Sequence, residues 1–249
     1  MLTDSHCHLY KEYYEDINNV ILESLQNKVN RFINNGCDSE TNKEVIELID
    51  CFPDMYGTLG IHPENVDNYS MEDIKFIEEN LNQKKIIAIG EIGLDYHYTK
   101  ENKESQIELF KNQLSIAEKY NMPVIIHSRE ATLDTLNTIK EYKVKGIIHS
   151  FSGSLETAKE YIKLGYLIGV NGVVTFKNSN IKNVIKELPL ESIVLETDSP
   201  YLTPEPFRGK QNYPGHILDI ANFICELKSV SMEELIKITN NNLNNMFNI

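Results

Sequence analysis

Short β-rich apolar runs alternate with helix-patterned stretches along the whole chain, and this alternation limits the fold more than any other feature. The runs are Leu2 to Ser5, Val29 to Ile33, Met55 to Gly60, Lys85 to Gly90, Pro123 to Ile126, Val144 to Ile148, Tyr166 to Val170 and Ser192 to Leu195. Apolar residues at helical spacing fill the segments between them, as in Tyr14 to Asn27 and in Glu101 to Tyr120 with Ile107, Phe110, Leu114 and Ala117. Further helices are predicted near Glu40 to Ile49, Met71 to Leu81, Glu130 to Tyr142, Leu155 to Leu164 and Ile181 to Leu188. Strands that alternate with helices at this interval pair in parallel through right-handed crossovers. Eight such units in 249 residues predict an α/β fold of the (β/α)8 TIM-barrel type, as a single domain over residues 1–249. A doubly wound open sheet is the alternative, because periodicity alone does not show closure.

Two extra C-terminal helices are predicted beyond the eighth strand, His216 to Lys228 and Ser231 to Phe247. Ser231-Met-Glu-Glu234 has the form of a capping box. The Asn-rich end, Asn240 to Asn245, is interrupted by Leu243 and followed by Met246 and Phe247, which favours a docked helix over a tail. Gly165 marks a helix stop in left-handed backbone.

The formal net charge is −13. That argues against a protein that coats nucleic acid or a membrane through a basic surface. No apolar stretch is long enough to span a membrane and the N-terminus lacks the pattern of a signal peptide, so a cytoplasmic location is expected. Cys7, Cys37, Cys51 and Cys225 are widely spaced without a C-x-x-C pair and are read as reduced thiols. Cys7 lies between two histidines, but successive side chains of a strand point to opposite faces, so it does not join them.

The chemistry gathers at strand ends. His6 and His8 follow the first run, His62 the third, His127 the fifth and His149 the sixth, while Glu91 follows the fourth and Glu196 and Asp198 end the eighth. In a barrel these ends share the face on which active sites are built. One histidine at such a place is ordinarily a hydrogen-bonded loop residue, but five with several acids are harder to ascribe to chance. Two imidazoles separated by one residue on an extended segment point the same way and grip one ion. Four histidines and two acids exceed the needs of one tetrahedral ion, which favours two divalent metals with Glu91 in a bridging place and suits phosphate chemistry.

The stretches Asp4-Ser-His-Cys-His-Leu9, Gly60-Ile-His-Pro63, Ile89-Gly-Glu-Ile-Gly-Leu-Asp95, Pro123-Val-Ile-Ile-His-Ser-Arg129, His149-Ser-Phe-Ser-Gly153, Glu196-Thr-Asp-Ser-Pro-Tyr-Leu202 and Pro206-Phe-Arg-Gly-Lys210 resemble the TatD family of metal-dependent deoxyribonucleases. The resemblance runs almost end to end. It implies a TIM-type barrel that hydrolyses DNA phosphodiesters through water activated by two metals, with exonuclease action from 3′ ends, on single strands or free ends. Carried over by position, it places one metal among His6, His8, Glu91 and Asp198 and a second among Glu91, His127 and His149. Glu91 and Asp198 then have the catalytic roles, and His62, Arg129 and Arg208 contact substrate phosphates. Arg suits this through its planar fork of donors. Asp4 and Glu196 are expected to fix imidazole tautomers. Ser150, Gln211 and Tyr213 depart from residues frequent in the family, and none is a proposed ligand.

The metals would be Mg, Mn or Zn, and the DNA is expected to be held locally in a cleft, with no membrane or obligate protein partner. The same metals also suit hydrolysis of an amide or ester in a small metabolite or of an aminoacyl ester on transfer RNA. A non-catalytic binding protein would be expected to lack part of the ligand set. Tyr96, Tyr98 and Tyr201 lie near these residues, where a tyrosine stacks on a base, although packing is the expectation for Tyr98. His97 reads as a surface residue, His216 has no evident partner and Lys84-Lys85 reads as a solvated strand entrance.

Overall fold

A computed structural model describes all residues, Met1 to Ile249. Its strands are β1 (Leu2–Cys7), β2 (Val29–Asn35), β3 (Met55–Leu59), β4 (Ile86–Asp95), β5 (Val124–Arg129), β6 (Gly146–Ile148), β7 (Leu167–Val170) and β8 (Ile193–Leu195). Between them lie α1 (Ile17–Gln26), α2 (Ser39–Cys51), α3 (Met71–Asn80), α4 (Lys103–Tyr120), α5 (Thr132–Ile139), α6 (Leu155–Lys163) and α7 (Ile181–Glu187), and α8 (Ile217–Lys228) and α9 (Met232–Phe247) follow. The strands form one sheet in the order β1 to β8. This is the strand order and alternation of the (β/α)8 TIM-type fold expected from the sequence.

The chain comprises two compact units. One contains Met1–Asn34, Ser150–Ile162 and Leu167–Ile249, and the other Asn35–His149 with Lys163–Tyr166. In the first unit β1 pairs in parallel with β2, and β7 with β8. A parallel bridge between Cys7 and Ser199 also joins β1 to the segment after β8. In the second unit β3, β4, β5 and β6 pair in parallel in that order. Every residue of β1 and β4 is buried. β4 opens on the apolar run expected of a parallel strand covered on both sides, Ile86 to Ile89, whereas β1 buries polar residues from Thr3 to His6.

Local capping sets the helix starts. Asp38 accepts the N–H of Thr41 in a full capping box on α2, and Ser70 does the same with Asp73 on α3. Ser231 accepts the N–H of Glu234 on α9, so only the serine half of the predicted box is present there. Several helices stop on left-handed residues, among them Asn121, Ser229 and Asn248, and Gly165 follows α6 at φ 91°. The Asn-rich end is helical. Asn242 Nδ2 donates to the carbonyls of Leu190 and Ile193, and Asn240 Oδ1 accepts the hydroxyl of Thr3.

Four strands run further than the apolar pattern suggests. β1 extends to Cys7, β2 to Asn35, β4 to Asp95 and β5 to Arg129, so His6, Glu91 and His127 lie within strands rather than after them. Lys85 is not a solvated entrance, because its Nζ donates to the carbonyls of Ile49 and Phe52 and closes the end of α2. No helix is long and apolar enough to cross a membrane.

Candidate metal centre

In the first unit the backbone ladder itself brings candidate ligands together. The N–H of Asp198 donates to the carbonyl of His6 at 2.9 Å, and the N–H of His8 donates to the carbonyl of Ser199 at 2.8 Å. These bonds hold the segment after β8 alongside β1. His6 Nε2 and His8 Nε2 then lie 3.1 Å apart, with Asp198 Oδ1 at 3.8 Å from the first and 3.5 Å from the second. His6 is fully buried and His8 nearly so. Two facing ring nitrogens beside a carboxylate form a donor set that one divalent ion fits, since an ion accepts both lone pairs at once. The far nitrogen of His8, Nδ1, lies 3.1 Å from the Tyr10 hydroxyl, the kind of partner that fixes which nitrogen faces an ion.

Asp198 has φ 57° and Ser150 φ 48°, so both stand in left-handed backbone that L-residues other than Asn and Asp adopt at a cost. Ser150 donates its N–H to Glu196 Oε1 at 2.6 Å. Gly169 leaves the space for that carboxylate, as a Cβ there would meet Glu196 Oε2 at 2.4 Å. Asp4 accepts the N–H and hydroxyl of Thr197 and the backbone N–H of His6. It therefore braces the backbone under His6 rather than an imidazole tautomer as expected. Burial pushes the Asp4 carboxyl up to about 8, although the bonds from Thr197 favour its ionised form.

In the second unit Glu91 is the centre. Its N–H donates to the carbonyl of Gly36, and the Thr58 hydroxyl donates to the carbonyl of Gly90, which pins the backbone on both sides of the peptide. Three imidazoles approach Glu91 Oε1: His127 Nδ1 at 3.0 Å, His62 Nε2 at 3.7 Å and His149 Nε2 at 3.7 Å. His127 Nε2 lies 2.8 Å from Asp95 Oδ2, so a carboxylate stands at each of its nitrogens. Burial opposes a charged ring there, but the bonds to Asp95 and Glu91 outweigh it and hold His127 up at about 9. Asp95 is correspondingly lowered, with burial overcome by the His127 bond. His62 accepts the N–H of Glu64 at Nδ1, which leaves the proton on Nε2 and makes that nitrogen a donor. Such a donor suits a phosphate oxygen better than it suits a metal.

A sequence profile described as TatD related DNase matches residues 3–248. The chain belongs to the TatD-related DNase family. It is 41% identical over 254 residues to YabD of Bacillus subtilis, covering all of both chains, and 35% identical over 257 residues to YcfH of Escherichia coli, covering all of this chain and 96% of the other. Both relatives are named uncharacterized metal-dependent hydrolases. Among solved structures, the TatD homologue YJJV of Escherichia coli K12 superposes with a TM-score of 0.94 at 31% identity, covering 100% of this chain and 98% of the other.

The remaining expected site residues of this TatD-family chain lie at the surface. Arg129 ends β5 with its guanidinium 5.4 Å from the ring centre of Tyr98, and Arg208 lies 4.3 Å from the ring centre of Phe176. Tyr98 is 72% exposed, so packing does not account for it. His97 is a surface residue as expected and pairs with Glu130, while His216 is buried and finds Asp219 at 3.0 Å.

Tyr10 stands beside His8, Asp95 beside His127 and Cys37 beside Glu91 without having been expected there. For Asp95 a signal was present, since Glu91, Gly93 and Asp95 share one face of a strand by their period of two. Cys37 Sγ lies 3.8 Å from Glu91 Oε2. It comes from the loop after β2, where no local pattern marks it.

Proposed function

We propose that this member of a family of metal-dependent hydrolases cleaves phosphodiester bonds of DNA, acting from 3′ ends of single strands or frayed duplexes. The observation that carries the reading is the convergence of three imidazoles on Glu91 Oε1, buried in a chain of the TatD-related DNase family. His6, His8, Glu91 and Asp198 would hold one divalent ion, and Glu91, His127 and His149 would hold a second. Bound ions of this kind supply Lewis acidity that offsets charge on the phosphate oxygens.

The chain's own groups do the rest. Asp198 accepts a proton from the attacking water as well as holding its ion. His62 donates Nε2–H to a phosphate oxygen, and Arg129 and Arg208, both exposed, pair with the phosphates that flank the scissile one. A net charge of −13 agrees with a strand end gripped locally rather than a duplex coated along its length.

The test is stepwise shortening of 5′-labelled single-stranded DNA with added Mg2+ or Mn2+. Glu91→Gln, with wild-type circular dichroism, is expected to lose about 1,000-fold in rate, comparable to the loss of one preorganised charge-stabilising group. Full activity in that variant, or turnover of amide and carboxylic ester substrates with none of DNA, would overturn the reading.

A further inference from the structure

Beside the His6, His8 and Asp198 cluster, four aromatic rings close a circuit. Ring centroids of His8 and Tyr10 are 5.5 Å apart, Tyr10 and Tyr13 5.7 Å, Tyr13 and Tyr201 5.9 Å, and Tyr201 and His8 6.4 Å. The inner members are buried: Tyr10 is 3% exposed and carries its hydroxyl to His8. The outer member, Tyr201, is 50% exposed, which leaves part of its ring open to solvent.

The outer pair is built to stay in place. The Tyr201 hydroxyl donates to the Tyr13 hydroxyl at 2.9 Å. Asn212 Nδ2 donates to the carbonyls of Tyr201 and Thr197, and the N–H of Tyr201 donates to the carbonyl of Asp198. Gln211 Nε2 donates to the carbonyl of Tyr13. Tyr201 thus hangs from the same short segment that supplies a metal ligand, and its ring cannot drift from that ligand without breaking this bracing.

We propose that Tyr13 and Tyr201 form a stacking platform for a nucleobase of the substrate, seating one base beside the His6, His8 and Asp198 cluster. The proposal rests on the nuclease reading and narrows it, since it makes a base-bearing strand, rather than any phosphodiester, the preferred ligand. A phenol face is sequence-tolerant because every base has a π-face. The platform therefore selects for the presence of a base and not for which one, and it favours an unpaired base over one stacked within a duplex.

The probe is a fluorescein-labelled tetradeoxythymidylate with phosphorothioate linkages, compared by anisotropy, with Mn2+ present, against the same backbone carrying abasic residues throughout. Wild type is expected to prefer the base-bearing strand by about 10-fold or more, the range of one base–aromatic stack. Tyr201→Phe retains the preference, because it keeps the ring, whereas Tyr201→Ala and Tyr13→Leu each lose most of it. Thermal melts establish that each variant is folded, and Tyr13→Leu carries the test if Tyr201→Ala is not. Equal binding of the two strands by wild type, or an undiminished preference in a folded Tyr201→Ala, overturns the platform. DNA cleavage without base preference removes the platform and leaves the nuclease standing. A base preference that Tyr201→Ala abolishes, with no DNA cleavage by wild type, keeps the platform and removes the nuclease.

Discussion

Asp95 Oδ2 lies 2.8 Å from His127 Nε2, on the side of the ring away from Glu91. Strand arithmetic produces this arrangement. Glu91, Gly93 and Asp95 share a face of β4, and the parallel register sets His127 opposite Gly93. The imidazole thus stands with a carboxylate from before Gly93 on one nitrogen and one from after it on the other. Asp95 thereby fixes the ring while Nδ1 stays turned toward Glu91. Asp95→Asn is expected to weaken divalent-metal affinity by about 10-fold, in the range found for groups that orient metal-binding histidines. Competition against a fluorescent chelator measures it, and unchanged affinity in a folded variant would count against the role.

Metal binding should depend on pH through the same ring. His127 is raised from 6.5 to about 9, so the metal-free protein carries it protonated at neutral pH, and an ion must displace that proton. Affinity is therefore expected to rise with pH until about 9 and then level off. The stability of the chelated protein runs the other way. A folded-state value above the unfolded one contributes fully below 6.5 and is lost as pH climbs through about 9. Melts of chelated wild type and His127→Gln across that range should converge as pH rises, and calorimetry in two buffers should register the released proton.

Gly93 has φ 146°, and a Cβ there would meet the carbonyl oxygen of His127 at 2.0 Å. Gly93→Ala forces β4 and β5 apart where Glu91, Asp95 and His127 converge. The expected loss is about 3 kcal/mol or more, as for other steric and backbone violations in a core. Urea unfolding checks the size, and an increase in metal demand for folding would accompany it.

Away from the site, Lys228 Nζ donates to the carbonyls of Ile185, Lys186 and Leu188, closing the C-terminal end of α7 with a side chain from α8. Burial lowers the Lys228 ammonium, so this contact is partly desolvated. Lys228→Met leaves those carbonyls without their donor and is expected to cost about 1–3 kcal/mol in urea unfolding, with metal binding unaffected.

The alternation of strands and helices was legible because strands buried on both faces concentrate Val, Ile and Leu into short runs that flanking helices do not imitate. Strand ends were not legible where the chemistry lies. In β1, β4 and β5 the apolar run stops at a polar residue, but hydrogen bonding continues through His6, Glu91, Asp95 and His127. Those side chains are polar and, His127 apart, buried, a combination that a pattern rule reads as a loop. Likewise the histidines announced a cluster, but the supports did not announce themselves. Tyr10 reaches His8 from two residues away, where spacing alone gives no sign of the bond. Cys37 meets Glu91 only because the N–H of Glu91 donates to Gly36, a contact across the sheet that no local window contains.

The left-handed residues fall into two groups with opposite prospects for protein engineering. Lys28, Asn121, Ser229 and Asn248 follow helices or stand in turns, whereas Glu130, Ser150, Asp198 and Leu202 stand beyond the C-terminal ends of β5, β6 and β8. At Lys28 and Ser229 in the first group glycine relieves a conformational cost, so thermostability can be raised there by design. At Glu130, Ser150 and Leu202 the same cost is borne close in sequence to the candidate ligands His127, His149 and Asp198, so relaxing it there puts the proposed chemistry at stake. A laboratory lineage selected for heat tolerance alone would therefore be drawn to relax Glu130 and Ser150 as readily as Lys28 and Ser229, and a screen that also demands metal binding would oppose it.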